Sequence, residues 1–437
     1  MRVPPGFGRN VVSNASTSAL HSVTQLGLLL VLIQIFDDAS YAAFLTATFM
    51  IGLLEMTSDY GVRVWATREF AISEVPASVL SRSVRCKIVC TVLSGAVFCL
   101  IPLKSLTASG LLLSVLVAGT QPSTDPLLWY LRGRTRLDVE AGVVLVFRVI
   151  IVAAMLLAAR LGQGLDSLLL VWLAFNILRI VTEYRLEAMK PLVLDTASAA
   201  SGPLLSASAT LRHAFPIGTA LVLASVFQRA SVLLLDVFST AQDVKIYGTA
   251  FKIVTASGFV STGVFVSSFA LLTRAVESRE LGSIRSVVRR QFVLVTLVFV
   301  PMCAIGTLFA VPTASWFSSG DMSRIANVVV WLMPGLYLSS VNMGLKYMLN
   351  AYQLNWQDVG VVGLGLCVMV CATMFHGALT WTGAAALGWG LGEATLLLAR
   401  LGLLWSRGQP SGVPVAVILG SAASLVLMLI VSDWAQW

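Results

Sequence analysis

Residues 142–160 read GVVLVFRVIIVAAMLLAAR, an apolar run interrupted by one charge, Arg148, and closed by another, Arg160. A helix needs about 20 mostly apolar residues to cross the hydrocarbon core of a bilayer. We therefore predict a membrane-spanning helix over 140–161. Comparable runs recur along the chain and predict further spans at 10–36, 39–65, 84–103, 106–130, 165–184, 212–238, 243–273, 287–311, 322–350, 356–378 and 381–405, with an extra span at 413–432.

The composition agrees with a protein that lies almost wholly in the membrane. Hydrophobic residues make up 57% of the 437 residues, charged residues make up 11%, and the mean hydropathy is +0.87. Soluble domains carry about 25% charged residues, so this chain cannot cover a normal aqueous surface with polar groups. The net charge of +8 indicates basic loops at an anionic leaflet, and we predict membrane lipids and no nucleic acid as partners.

The distribution of basic residues supports this set of spans. With a cytoplasmic N-terminus, 22 of the 29 Lys and Arg residues fall in cytoplasmic segments and three fall within spans. Only Lys104, Arg160, Lys245 and Arg324 fall outside. Such a bias is the positive-inside pattern of multi-pass membrane proteins.

Two halves can be recognised in the sequence. Tyr41 precedes Thr67-Arg68 by the same spacing as Tyr247 precedes Thr273-Arg274, and a Ser-, Ala- and Pro-rich stretch at 191–211 follows the sixth span. We predict an all-α polytopic membrane protein with 12–13 transmembrane helices, arranged as two six-helix bundles related by a pseudo-two-fold axis along the membrane normal. The bundles are predicted at 1–190 and 212–407, joined by a cytoplasmic linker at 191–211, and the extra helix lies in 408–437.

Motifs for catalysis or cofactor binding are absent from the sequence. It has no G-x-x-x-x-G-K-[ST] loop and no H-E-x-x-H, and its six cysteines form no metal or disulfide pattern. We predict no cofactor, no metal and no enzymatic activity. The glycines at 388, 390 and 392 favour close helix packing instead.

Two cations in the outer part of the membrane predict a polar cavity. Arg229 lies in the seventh span and Lys252 in the eighth, and ionisable groups at such depth are costly and usually functional. A water-filled cavity that receives an anion accounts for both. The alternative is that Asp236 neutralises one of them and the other extends to the interface.

Five further charged residues are candidates. Arg148 in the fifth span is a third cation for the cavity, unless it extends to the interface. Glu55, Asp59 and Arg63 share one face of the second span, which favours an Asp59–Arg63 ion pair and leaves Glu55 as a possible proton carrier. Glu393 in the twelfth span is either a coupling site or a helix-to-helix hydrogen-bonding group.

Several of these residues lie in motifs that resemble the Wzx-type polysaccharide flippases of the multidrug/oligosaccharidyl-lipid/polysaccharide (MOP) exporter superfamily. The segment SDYGVRVWATREFA at 58–71 resembles the Asp-x-Gly…Arg-Glu pattern that closes the second span of that family. Tyr247, Ala250 and Lys252 resemble its Tyr…Ala…Lys/Arg pattern, and Arg229 stands at a position that is often cationic.

The segment LKYMLNAYQ at 345–353 resembles the end of the tenth span of the family, so the likeness extends over most of the chain. Ser231 stands where the family often has an acidic residue, and Lys245 where it usually has glycine. The extra span also exceeds the usual twelve.

The resemblance implies a flippase in the bacterial cytoplasmic membrane that moves a polyprenyl-diphosphate-linked oligosaccharide between leaflets. A polysaccharide polymerase and glycosyltransferases are then candidate partners. Arg229, Lys252 and Arg148 are the expected substrate contacts, because cations in a low dielectric favour an anionic headgroup. The alternatives are a small-molecule or drug exporter of the same superfamily, a membrane polysaccharide polymerase or ligase, the lipid II flippase of peptidoglycan synthesis, and a structural protein without transport.

Overall fold

A computed structural model describes residues 7–72, 76–133, 137–185, 207–314, 320–375, 377 and 379–409, and scattered positions between 413 and 426. Every regular element in these residues is a helix. The helices are α1 (Phe7–Ile35), α2 (Asp38–Asp59), α3 (Val62–Ile72), α4 (Pro76–Phe98), α5 (Ala108–Gly119), α6 (Gln121–Gly133), α7 (Leu137–Arg160), α8 (Leu165–Arg185), α9 (Ala207–Phe238), α10 (Ala241–Ala256), α11 (Phe259–Glu277), α12 (Leu281–Ala314), α13 (Gly320–Ala351), α14 (Asn355–Met374) and α15 (Trp381–Ser406).

Polar caps define where several helices begin. The Asp37 carboxylate accepts the Ser40 amide at 3.3 Å before α2, and the Thr107 hydroxyl accepts the Gly110 amide at 3.1 Å before α5. Thr240 and Asp243 form a reciprocal capping box at the start of α10. These side chains satisfy amide groups that the first turn of a helix leaves unpaired.

The sequence-predicted spans and the observed helices differ because some spans are broken. The second span is divided between α2 and α3, the fourth between α5 and α6, and the eighth between α10 and α11. Within the described residues, eight helices are long and apolar enough to cross a membrane by themselves. Among the described pieces of the broken spans, α2 is long and apolar enough and the others are not. The predicted all-α polytopic fold is confirmed, with eight such helices in the described residues.

The break between α2 and α3 is built around a left-handed turn. Tyr60 has φ 34° and Gly61 has φ 74°, the region that glycine enters at little cost. The Tyr60 hydroxyl lies 3.0 Å from the Thr219 hydroxyl on α9. Gly218 lies so close that a Cβ atom there would come within 2.5 Å of the Tyr60 carbonyl oxygen, so the break and α9 are in backbone contact.

The chain forms two compact units, unit 1 (Met1–Val226) and unit 2 (Phe227–Trp437). The boundary lies within α9. Of the predicted linker, residues 191–206 lie outside the described residues, so its cytoplasmic position stays a prediction. Most of 413–432 also lies outside them, so the extra span that was expected there stays a prediction.

Unit 1 has an apolar core where α3, α4 and α6 meet, formed by residues such as Phe70, Leu80 and Trp129. Unit 2 packs α13 against α12, α14 and α15. Gly392 on α15 would place a Cβ atom 3.1 Å from the Gly365 carbonyl oxygen on α14, which confirms the predicted close helix packing of this glycine.

The outward face of several helices is apolar, as lipid contact requires. On α7, Val146, Val149, Ile150 and Leu157 are exposed and recur at helical spacing. A soluble monomer rarely exposes such contiguous apolar surface. This pattern agrees with burial of the helices in a bilayer.

Two basic residues that were assigned to cytoplasmic segments are in fact interior. Lys87 on α4 has no exposed surface, and Arg400 on α15 is 3% exposed. Both face carboxylates inside the protein rather than water or headgroups. These two residues therefore do not contribute to the positive-inside bias.

Candidate functional site

A small pocket of about 20 Å³ lies within unit 1, between α1, α2, α7 and α8. Most of its walls are aliphatic or aromatic, and its polar groups are Gln25, Thr48 and Arg148. It is lined by Gln25, Leu28, Leu29, Phe44, Thr48, Arg148, Ile151, Val152, Met155 and Trp172. The pocket resembles a small-molecule site in the chemistry of its lining and not in its volume.

Arg148 provides the positive charge of this pocket. Glu55 on α2 attracts its guanidinium group, and Arg179 on α8 repels it. Arg179 is itself paired with Glu183, its Nε atom lying 2.7 Å from Glu183 Oε1. Two arginines and two glutamates therefore lie in the interior of unit 1, and the structure brings together two residues, Glu55 and Arg148, that the sequence analysis treated separately.

A second charged cluster joins α2, α4 and α6 in unit 1. Lys87 Nζ lies 2.8 Å from Asp59 Oδ1 and also contacts the Asp125 carboxylate. Arg63 Nε lies 3.6 Å from Asp59 Oδ2. Lys87 is also over the ring of Trp129, at 5.1 Å from its centroid. Two cations and two carboxylates balance, so this cluster reads as a structural link between helices.

Unit 2 contains a buried polar cluster on α13, α14 and α15. Arg400 Nε lies 2.8 Å from Asp358 Oδ1, and Arg400 Nη2 lies 3.3 Å from Asp358 Oδ2. Arg400 Nη1 donates to the Asn342 carbonyl oxygen at 2.9 Å. The Asn342 side-chain amide donates to Glu393 Oε2 and to the Glu393 carbonyl oxygen, each at 2.7 Å. Glu393 thus takes part in a helix-to-helix hydrogen bond.

Arg229 on α9 and Lys252 on α10 lie on consecutive helices of unit 2, and both side chains are half-buried. Asp236, the alternative partner considered for them, is 2% exposed. Arg148 belongs to unit 1. The role of these three cations in one shared cavity therefore stays a prediction.

Sequence reasoning missed Asp125, Asp358 and the pairing of Lys87 and Arg400. Lys87 and Arg400 were assigned to cytoplasmic segments, because basic residues near span ends normally face water or headgroups. Among the residues that the structure describes, no group of three or more His, Cys, Asp or Glu side chains is arranged to hold a metal ion.

Comparison with known proteins locates this architecture. Three solved structures resemble it over nearly the whole chain. The eukaryotic MATE transporter AtDTX14 and an inward-facing multidrug resistance MATE transporter of the MOP superfamily each have a TM-score of 0.65. A mutant of the Vibrio cholerae MATE transporter VcmN has a TM-score of 0.62. This chain has the fold of the MATE transporters.

The likeness to these MATE structures is one of fold alone. AtDTX14 is 9% identical, and the match covers 96% of this chain and 99% of that structure. The inward-facing transporter is 12% identical, with coverages of 97% and 99%. The VcmN mutant is 14% identical, with coverages of 93% and 98%. No family model matches the sequence. No curated protein matches it either. The two-bundle arrangement predicted from the repeat agrees with the MATE fold.

Proposed function

We propose that this chain is an exporter of the MOP superfamily that moves a polyprenyl-diphosphate-linked oligosaccharide across the bacterial cytoplasmic membrane. The MATE fold supports a membrane exporter, and transport rather than catalysis is the activity that such a fold serves in its structural neighbours. In this proposal the N-terminus is cytoplasmic, and polysaccharide polymerase and glycosyltransferases are the candidate partners.

The observation that carries the proposal is the position of Arg148 in an otherwise apolar pocket. A cation beside Leu28, Leu29 and Met155 suits a ligand that has an anionic head and an apolar part. Charge-assisted contacts between arginine and phosphate are strong and can be bidentate. A lipid diphosphate combines both features in one molecule.

In this function, the Glu55 carboxylate competes with the diphosphate of the substrate for the Arg148 guanidinium. In the absence of ligand, the Glu55 carboxylate attracts the Arg148 guanidinium. A diphosphate carries more negative charge than a carboxylate, so it can take over the guanidinium when it enters. Arg229 and Lys252 are the proposed further contacts of the headgroup in unit 2.

Drug export is the second candidate function. One structural neighbour is described as a multidrug resistance transporter, and the aromatic lining from Phe44 and Trp172 suits a flat organic molecule. A cationic drug would be repelled by Arg148 unless Glu55 carried the binding, and this charge preference separates the two functions.

The test uses the purified chain in liposomes with a fluorescent polyprenyl-diphosphate glycan, whose leaflet is read by quenching from outside. Arg148→Ala should slow its translocation about 10- to 100-fold, because a charged hydrogen bond contributes roughly 1.5–3 kcal/mol. Arg160→Ala is the matched control, since Arg160 is exposed at the end of the same helix. Arg148→Lys should retain part of the rate.

Two results would overturn the proposal. One is an equal translocation rate for Arg148→Ala and wild type, when circular dichroism shows that both proteins are folded. The other is transport of a cationic dye by wild type without translocation of the lipid diphosphate, which would establish the drug-export function instead.

A further inference from the structure

Helix α12 carries an arginine cluster near its beginning, formed by Arg285, Arg289 and Arg290. All three side chains are exposed, and they lie within the first three turns of the helix, which begins at Leu281. Arg285 and Arg289 are four residues apart and so lie on one face, with Arg290 beside them. In the proposed orientation, with a cytoplasmic N-terminus, this end of α12 lies at the cytoplasmic face of the membrane. The cluster therefore concentrates positive charge on the surface of unit 2 at that face.

The arginine cluster has no partner for its charge within the part of the chain that the structure describes. No ion pair or side-chain hydrogen bond joins it to another residue there. This includes Glu277 and Glu280, which are exposed just before α12 begins. Arg82 on α4, by contrast, donates to the Ser78 carbonyl oxygen at 3.2 Å and lies over the ring of Trp65. The guanidinium groups of the cluster are therefore available to a ligand.

An apolar stripe follows the arginine cluster along the same helix. It is formed by Val293, Leu294 and Leu297, which are 39%, 48% and 67% exposed. Val293 follows Arg289 by four residues, so it lies one turn further along the same face. Leu294 stands in the same relation to Arg290. A cationic end that continues into an apolar stripe matches a molecule with an anionic head and an acyl chain.

The length of α12 places the arginine cluster at the level of the lipid headgroups. The helix has 34 residues, which corresponds to about 51 Å, whereas the hydrocarbon core of a bilayer is about 30 Å thick. Residues 291–314 contain no charged residue. They span about 36 Å, which is enough to cross the core. Arg289 and Arg290 are thus the last charged residues before the hydrocarbon region, at the depth where lipid phosphates lie.

We propose that the arginine cluster and the apolar stripe of α12 form a binding site for an anionic phospholipid of the cytoplasmic leaflet. The guanidinium groups donate hydrogen bonds to the phosphate oxygens, and the planar group of arginine can do so with two bonds at once. The acyl chains lie along the stripe. A zwitterionic lipid binds more weakly, because the same arginines repel its ammonium group. The bound lipid holds the first turns of α12 at the membrane surface.

The test measures the binding constant of the first bound lipid on the full-length protein in detergent by native mass spectrometry. Phosphatidylglycerol is the anionic probe and phosphatidylcholine the zwitterionic one. A basic residue beside an anionic lipid contributes about fivefold to binding, so Arg289→Gln/Arg290→Gln should weaken phosphatidylglycerol binding about 25-fold. Arg185→Gln/Arg407→Gln is the matched control, because it removes the same charge from exposed arginines at the ends of other helices. Arg289→Lys/Arg290→Lys should retain most of the affinity.

The proposal is overturned if wild type binds both lipids equally, or if the double glutamine variant and its control lose equal affinity. Arg285→Gln, expected to weaken binding about fivefold, serves if the double variant is not folded by circular dichroism. A polyprenyl diphosphate is the third probe. If the double glutamine variant loses affinity for this probe and keeps it for phosphatidylglycerol, the surface binds the proposed substrate and the proposal is wrong. Since no translocation is measured, the outcome is independent of the proposed flippase function.

Discussion

Replacing Arg400 by leucine should destabilise unit 2 strongly, because it leaves the Asp358 carboxylate buried without its cation. The side chains of Arg400 and Asp358 are 4% and 1% exposed, and their closest atoms are 2.8 Å apart. Two unit charges about 4 Å apart attract by about 4 kcal/mol at an effective dielectric constant of about 20. Loss of one partner of a buried pair costs about 3–5 kcal/mol, which agrees with this value.

The double variant Arg400→Leu/Asp358→Leu separates the cost of an unpaired charge from the value of the pair. Replacement of a buried ion pair by apolar residues is often neutral or stabilising. We therefore expect the double variant to regain most of the stability that the single variant loses, although the Asn342 carbonyl oxygen remains without the guanidinium donor.

The assay is thermal unfolding in detergent, followed by circular dichroism. For a cooperative unit of this size, each kcal/mol shifts the midpoint by roughly 2–4 °C, so Arg400→Leu should lower the midpoint by about 6–20 °C. The control is Arg407→Leu, because Arg407 is exposed one residue beyond the same helix. The reasoning is refuted if Arg400→Leu and Arg407→Leu shift the midpoint equally. It is also refuted if the double variant Arg400→Leu/Asp358→Leu unfolds at a lower temperature than Arg400→Leu alone.

The remaining predictions concern other buried contacts. Lys87→Met should lower the free energy of unfolding by about 3–5 kcal/mol, because Asp59 and Asp125 lose their shared cation. The thermal midpoint should recover when both aspartates are also changed to asparagine. Gly344→Ala should cost about 1–3 kcal/mol, since its Cβ atom would come within 2.6 Å of the Phe265 ring and 2.7 Å of the Phe292 ring. Gly360→Ala has open space and should not destabilise, so equal midpoints for the two alanine variants would contradict the packing argument.

Local spacing explains which site contacts could be expected from the sequence. Asp59 and Arg63 are four residues apart, so a continuous helix would place them on one face, and they lie 3.6 Å apart even though the helix breaks between them. The contact of Asp59 with Lys87, 28 positions further along the chain, has no comparable local signal. The same holds for Asn342 and Glu393, which are 51 positions apart. Pairs of this kind depend on how helices pack.

The broken spans show a similar limit. The hydropathy of the eighth span continues through its break, whereas the second span has Ser58, Asp59 and Arg63 around its break. What interrupts α2 is the left-handed backbone at Tyr60 and Gly61, held by contacts with α9. A glycine permits such a turn, but a contact distant in sequence selects it.

The membrane class, the helical architecture and the two-bundle arrangement follow from the sequence by itself. Long apolar runs cannot be solvated by water, and in lipid each backbone group must be hydrogen-bonded within its own helix. The tertiary structure alone decided that Lys87 and Arg400 are interior, that Arg148 faces an apolar pocket near Glu55, and that Glu393 has neutral partners. The physical reason is that hydropathy depends on neighbouring residues in the chain, whereas the environment of a charge depends on the helices packed around it.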